Sequence, residues 1–150
     1  MALFQSPWAL GQKPVARPQT AHNTHSQLFI VDVPAAGFAQ DDILELAVLH
    51  PYANVIDAAI VPVGSLGAAT VDIGLMSGET GELLNADGTA RTVGAELFTG
   101  AAITAMLRLS KVDALLIPAT EKPRSIGVKF SAAVAAGVGK KIGLMLHFAQ

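Results

Sequence analysis

Apolar residues recur at every second position in five stretches, and this period limits the possible folds more than any motif in the chain. Ile43–Leu49 sets Leu44, Leu46 and Val48 against Glu45. Asn54–Val63 sets Ile56, Ala58 and Ile60 against Asp57. Thr70–Met76 sets Val71, Ile73 and Leu75 against Asp72, Gly74 and Met76. Near the end, Ser125–Ala132 sets Ile126, Val128 and Phe130 against Gly127, Lys129 and Ser131, and Lys141–Phe148 sets Ile142, Leu144, Leu146 and Phe148 against Lys141, Gly143, Met145 and His147. A two-residue period puts successive side chains on opposite faces of a strand. Gln27–Val33, with Leu28, Phe29, Ile30 and Val31 in succession, is a further strand candidate. Turn residues separate these stretches at Pro34–Gly37, His50-Pro51, Gly64–Gly67, Asp87-Gly88 and Ala136–Lys140. The early strands follow one another at about 12 to 14 residues, which suits an antiparallel sandwich or jelly roll. The expected class is therefore all-β, a jelly-roll-like antiparallel β-sandwich.

The middle of the chain is less regular. Gly78–Arg91 reads as a long polar loop, Ala95–Thr99 as a short helical turn, Ile103–Ser110 as a strand and Asp113–Ile117 as another, stopped by Pro118. Ala136–Lys140 is expected to close a hairpin between the last two strands.

At 150 residues the chain has the length of one domain. Its composition, 51% hydrophobic and 15% charged, supplies ample core and little charged surface. Disordered chains have the opposite balance. No run approaches the roughly 18–20 apolar residues of a spanning helix, so no membrane partner is expected. Ten Lys and Arg against twelve Asp and Glu give a net charge of −2, which implies no nucleic-acid partner. Without cysteine there is no disulfide, thiol nucleophile or Cys-based metal site. Met1–Leu10 is broken by Gln5, Ser6 and Pro7 and lacks the form of a secretory signal. Synthesis in a cytoplasm is expected.

Residues 1–23 differ from the rest. Pro7, Pro14 and Pro18 block helix and central strand alike, and no Asp or Glu precedes Asp32. The segment reads as an extended N-terminal arm before a sandwich domain at 24–150. It also holds Trp8, the only tryptophan, with Phe4 nearby. Such an arm has something to bury. One possibility is a partner surface, with Phe4, Trp8, Pro14 and Arg17 as the contacts; the other is its own domain. On the first, truncating residues 1–20 leaves the fold intact and abolishes partner binding.

Signals for chemistry are weak. Gly137-Val138-Gly139-Lys140-Lys141 has Val134 where a phosphate loop needs its first Gly and Lys141 where it needs Ser or Thr, and a strand follows instead of a helix. His22 and His25 lack a third metal ligand nearby, and His50 and His147 stand alone. Gly78–Glu82 lacks the alternating oxygen ligands of a calcium loop. No G-x-S-x-G elbow occurs, and no carboxylate pair has defined acid–base spacing. No catalytic residue, cofactor or metal is expected. A hydrolase with spatially assembled carboxylates remains the enzymatic alternative.

Ala47, Ala58, Gly74, Met76, Gly127, Ser131, Gly143 and Met145 stand opposite the main apolar stripes. Small neutral faces of this kind suit packing against another chain, so an obligate oligomer is expected.

The succession Val71-Asp72-Ile73-Gly74-Leu75-Met76-Ser77-Gly78, Arg91-Thr92-Val93-Gly94-Ala95-Glu96-Leu97-Phe98, Asp113–Leu116, Arg124–Ser131 and Ala136–Ile142 resembles small head proteins of tailed bacteriophages, the decoration or cement proteins. The resemblance covers residues 41–149 and leaves the arm outside. It implies a sandwich that assembles as a homodimer or homotrimer, binds the outer capsid surface of the virion and clamps neighbouring major capsid protein subunits. It implies no cofactor and no reaction. Neck and tail proteins share this style of sequence. A sandwich-fold module binding a host receptor or carbohydrate is the other alternative, with Tyr52 its best exposed aromatic.

Overall fold

The structure, a computed structural model, describes residues 1–17 and 23–150. Its strands are β1 (Leu3–Gln5), β2 (Thr24–Asp32), β3 (Ile43–Leu49), β4 (Asn54–Val63), β5 (Thr70–Leu75), β6 (Phe98–Ala102), β7 (Leu107–Arg108), β8 (Arg124–Phe130) and β9 (Lys141–Ala149). Among the described residues no helix is long and apolar enough to cross a membrane.

Two sheets form, β1-β3-β8-β5-β6 and β2-β9-β4-β7. The antiparallel pairs β2/β9, β3/β8, β4/β7 and β5/β6 are the rungs of one long hairpin whose far bend lies between β5 and β6. Rolling that hairpin sideways brings β9 against β4 and β8 against β5. The result is a jelly roll of eight strands, with β1 added in parallel beside β3. Register puts Thr24, Asn54 and Ala149 at one pole of the sandwich and Asp32, Val63 and Lys141 at the other.

The core between the sheets is built from the alternating stripes. Phe29, Leu46, Ile60, Ile73, Ile126, Phe130, Leu144, Leu146 and Phe148 are fully buried. Register shifts occur in the β3/β8, β4/β9 and β5/β6 pairs, and those in β4 and β3 break the simple alternation of the core stripes. Ile56 is the extra residue opposite the Phe148–His147 step, so Val55, Ala58 and Ile60 turn inward while Ile56 stays 43% exposed. A second bulge between Glu45 and Ala47 places Ala47 in the core, opposite Ile126.

Several local expectations are corrected. Phe98–Ala102 is a strand instead of a helical turn, because Val71 and Ile73 offer it an edge. The strand expected over Ile103–Ser110 shrinks to Leu107–Arg108. Asp113–Ile117 is not a strand: Val112–Leu116 forms a 3₁₀ turn that buries Ala114 and leaves Val112, Leu115 and Leu116 exposed. Ala136–Lys140 turns as expected, with Gly139 at φ +76°, but it does not close a hairpin. It carries the chain from β8 in one sheet to β9 in the other.

The N-terminal segment is part of the folded unit. Trp8 belongs to the core at 8% exposure and meets Phe29 edge-to-face, with ring centroids 5.2 Å apart. Phe4 packs edge-on against Phe38, which stacks on Phe130. The Ser6 hydroxyl donates to the Leu46 carbonyl at 2.7 Å, and the Ala16 amide donates to the Gln27 side chain at 2.7 Å. The segment thus runs beside β3 and then crosses to β2, bridging the open side of the sandwich. The expected boundary at 23/24 marks the start of β2, not the start of folded structure.

Candidate assembly interface

The two outer faces of the sandwich have opposite fates. The middle of the five-stranded sheet's outer face is covered by the chain's own excursion between β5 and β6, while Asp72 and Lys129 farther along it stay partly exposed. Gly74 and Gly127 make this cover possible. A Cβ on Gly74 would overlap the Glu96 carboxylate, and one on Gly127 would lie 2.6 Å from Met76 and 2.8 Å from Val93. Overpacking of this kind costs roughly 1–3 kcal/mol. Gly74→Ala is expected to cost that much in a urea melt, and a neutral result would mean the excursion yields easily.

A buried ion pair holds the excursion down. Glu45 of β3 is fully buried, and Arg91 reaches it at 2.9 Å from the loop. Glu45 also accepts from the Gly81 amide at 3.1 Å, from Gln5 Nε2 at 2.9 Å and from the Ser125 hydroxyl. Arg91 donates to the carbonyls of Ser77 and Glu82, both at 2.7 Å. The pair therefore ties together β3, β8, the N-terminal segment and both arms of the loop. The polar face of Ile43–Leu49 marks Glu45 in the sequence, but nothing there points to Arg91 as its partner.

The outer face of the four-stranded sheet has no such cover among the described residues. Leu28 and Ile30 of β2, Gly143 and Met145 of β9, and Ala59, Val61 and Val63 of β4 share it by register. Leu28 is 37% exposed and Val63 39%. Polar pairs frame this apolar strip. Ser26 meets the His147 ring at 2.6 Å, and Lys141 donates to Asp32 at 2.7 Å. At the β7 edge Arg108 pairs with Asp57 and holds its carboxyl below the ordinary aspartate range. An apolar centre inside a polar rim is the usual anatomy of a protein interface.

The small residues singled out in the sequence divide accordingly. Ala47 and Ala58 fill the core, and Gly74, Met76 and Gly127 lie under the excursion. Gly143 and Met145 are on the uncovered face, and Ser131 is exposed at the far pole. What packs on most of these positions is thus the chain itself.

Of the expected contact residues, Phe4 and Trp8 are turned into the domain's own core, while Pro14 and Arg17 are exposed. His22 lies outside the described residues. His25 stacks on Phe148, and among the described residues no cluster of three potential ligands could hold a metal. Tyr52 is half exposed with a left-handed backbone, φ +62°, beside a cleft formed by Gly78–Thr80 and Ala119–Arg124.

No protein-family model and no curated protein matches the chain. Solved structures do. A chain in the capsid of Ralstonia phage GP4 shares 32% identity, with 99% of this chain and 97% of that one covered at a TM-score of 0.81. This chain belongs to a family of phage capsid proteins. A chain of the cyanophage Pam1 capsid asymmetric unit has the same fold, with TM-score 0.56, 13% identity and coverage of 93% and 94%. The capsid protein is therefore a structural component of a virion.

Proposed function

We propose that this chain decorates the outside of a phage capsid as a homodimer or homotrimer and stabilises the shell by bridging neighbouring major capsid protein subunits. The observation that carries the reading is the asymmetry of the outer faces: the excursion covers the middle of one, around Gly74 and Gly127, and on the other, among the described residues, Leu28 is exposed and Ile30, Val61 and Met145 are part-exposed with no excursion over them. A sandwich with one apolar face suits a piece laid against other subunits. Linked copies would rebind at high effective concentration, so modest contacts per copy suffice.

The test replaces Leu28 and Met145 by Asp together. Both lie on the outer face, so the fold is expected to survive, as judged by the melting curve. Wild-type protein is expected to bind purified undecorated capsids and raise their disruption temperature. The double variant is expected to lose at least tenfold in occupancy, since charges placed in an apolar contact are left unpaired. Equal occupancy of the variant would remove the sheet face from the account. A wild type that ignores capsids would defeat the decoration reading itself.

A further inference from the structure

The N-terminal segment crosses one pole of the sandwich and leaves a groove of about 440 Å³ there. Lys13, Arg17 and His50 line it, with no carboxylate among its walls. The cations stand out by what they lack. Arg91, Arg108, Lys122, Lys129 and Lys141 pair with carboxylates. Lys111, Arg124 and Lys140 donate to backbone carbonyls. Among the described residues, Lys13 and Arg17 alone of the lysines and arginines make neither kind of contact. Lys13 instead rests over the Trp8 ring, 4.9 Å from its centroid. The His50 Nδ1 donates to the Pro51 carbonyl at 2.9 Å, leaving Nε2 for a ligand. Because the sequence has no Asp or Glu before Asp32, the segment brings no carboxylate of its own to these charges.

We infer that this groove binds an acidic polypeptide segment and, resting on the decoration reading, that the segment belongs to a capsid subunit. Lys13 and Arg17, without a carboxylate or carbonyl partner among the described residues, supply the charge and His50 a hydrogen-bonding nitrogen, while Pro14, Pro51, Val48 and Pro123 make rigid apolar walls suited to a peptide's side chains. A nucleic acid fits less well. The protein as a whole carries −2, which opposes a phosphate backbone. Base stacking needs an open aromatic face, and Trp8 is 8% exposed beneath Lys13.

Trp8 is the only tryptophan, so its emission reports on the groove. Full-length protein is titrated with hexaglutamate, hexaglutamine and a ten-residue oligothymidylate, with calorimetry in parallel. The expected result is a saturable response to hexaglutamate alone, weakened by added salt. The Lys13→Glu, Arg17→Glu variant is expected to bind hexaglutamate roughly tenfold less tightly or worse. Both side chains are exposed, so its melting curve should stay close to wild type, lowered only by the lost cation–π contact of Lys13 with Trp8. Equal binding of hexaglutamine or of the oligonucleotide, or no response at all, overturns the inference. The same variant is then mixed with undecorated capsids. Reduced occupancy with a flatter salt dependence supports the groove as a shell contact. Undiminished occupancy overturns that assignment while decoration stands. A wild type that binds hexaglutamate but not capsids supports the groove's chemistry and defeats the decoration reading.

Discussion

Arg91→Ala is expected to lower the unfolding free energy by about 3–5 kcal/mol, the usual effect of leaving one partner of a buried ion pair uncompensated. The pair here is extreme in its burial, with side-chain exposures of 1% for Arg91 and 0% for Glu45. Removing the guanidinium strands the Glu45 carboxylate and also frees the carbonyls of Ser77 and Glu82. The damage should be local before it is global. Hydrogen exchange is expected to speed up first across residues 76–97, because that excursion is fastened to the sheet through Arg91, while β4 and β9 stay protected. Urea melts of wild type, Arg91→Ala and the double variant Glu45→Leu with Arg91→Met would check this. The double variant should recover much of the loss, since it buries no charge. A loss below about 1 kcal/mol for the single variant would mean that the excursion is held by its apolar contacts and that the ion pair contributes little.

Trp8→Ala is expected to cost about 3–5 kcal/mol as well, through the cavity left between the sheets. Phe29 loses its edge-to-face partner, and Lys13 loses the ring it rests on. Deleting residues 1–20 should cost more than this, because it also removes β1 and the Ser6 bond to Leu46. The arm-based expectation that such a truncation spares the fold is therefore replaced by its opposite. The discriminating measurement is the guanidinium midpoint of the truncated protein beside Trp8→Ala. A truncated protein as stable as wild type would show that the segment only covers the core.

The architecture was legible because most of the long strands carry an inward apolar stripe at about every second residue, even where, as in β3, the opposite face is buried too. Even the jelly roll was reachable from strand spacing. The bulges were not, since the extra residues at Ile56 and between Glu45 and Ala47 are defined by the partner strand. The Ala136–Lys140 turn chemistry was read correctly, but whether flanking strands pair depends on how the long hairpin rolls, which no local pattern encodes. Ala95–Thr99 reads in the sequence as a helical turn, whereas Phe98–Ala102 is a strand: its alanines and glycine carry little strand preference and the edge beside Val71 decides the matter. The candidate interface was half legible. Gly143 and Met145 do face outward, whereas Gly74 and Gly127 show the same small-residue signature and are covered by the protein's own loop. Sequence shows that a face is small and neutral; it does not show which chain arrives there. Trp8 illustrates the same limit, for an aromatic in a proline-rich segment tells of burial without naming the surface.

The two poles of the jelly roll also decide where foreign material can be attached. Val138 is fully exposed at the pole of Asp32 and Lys141. The basic groove lies at the other pole, beyond the far end of β9, a separation of about 30 Å for a strand of this length. Peptides spliced in at Val138 would ride on the side turned away from the groove and leave its walls untouched.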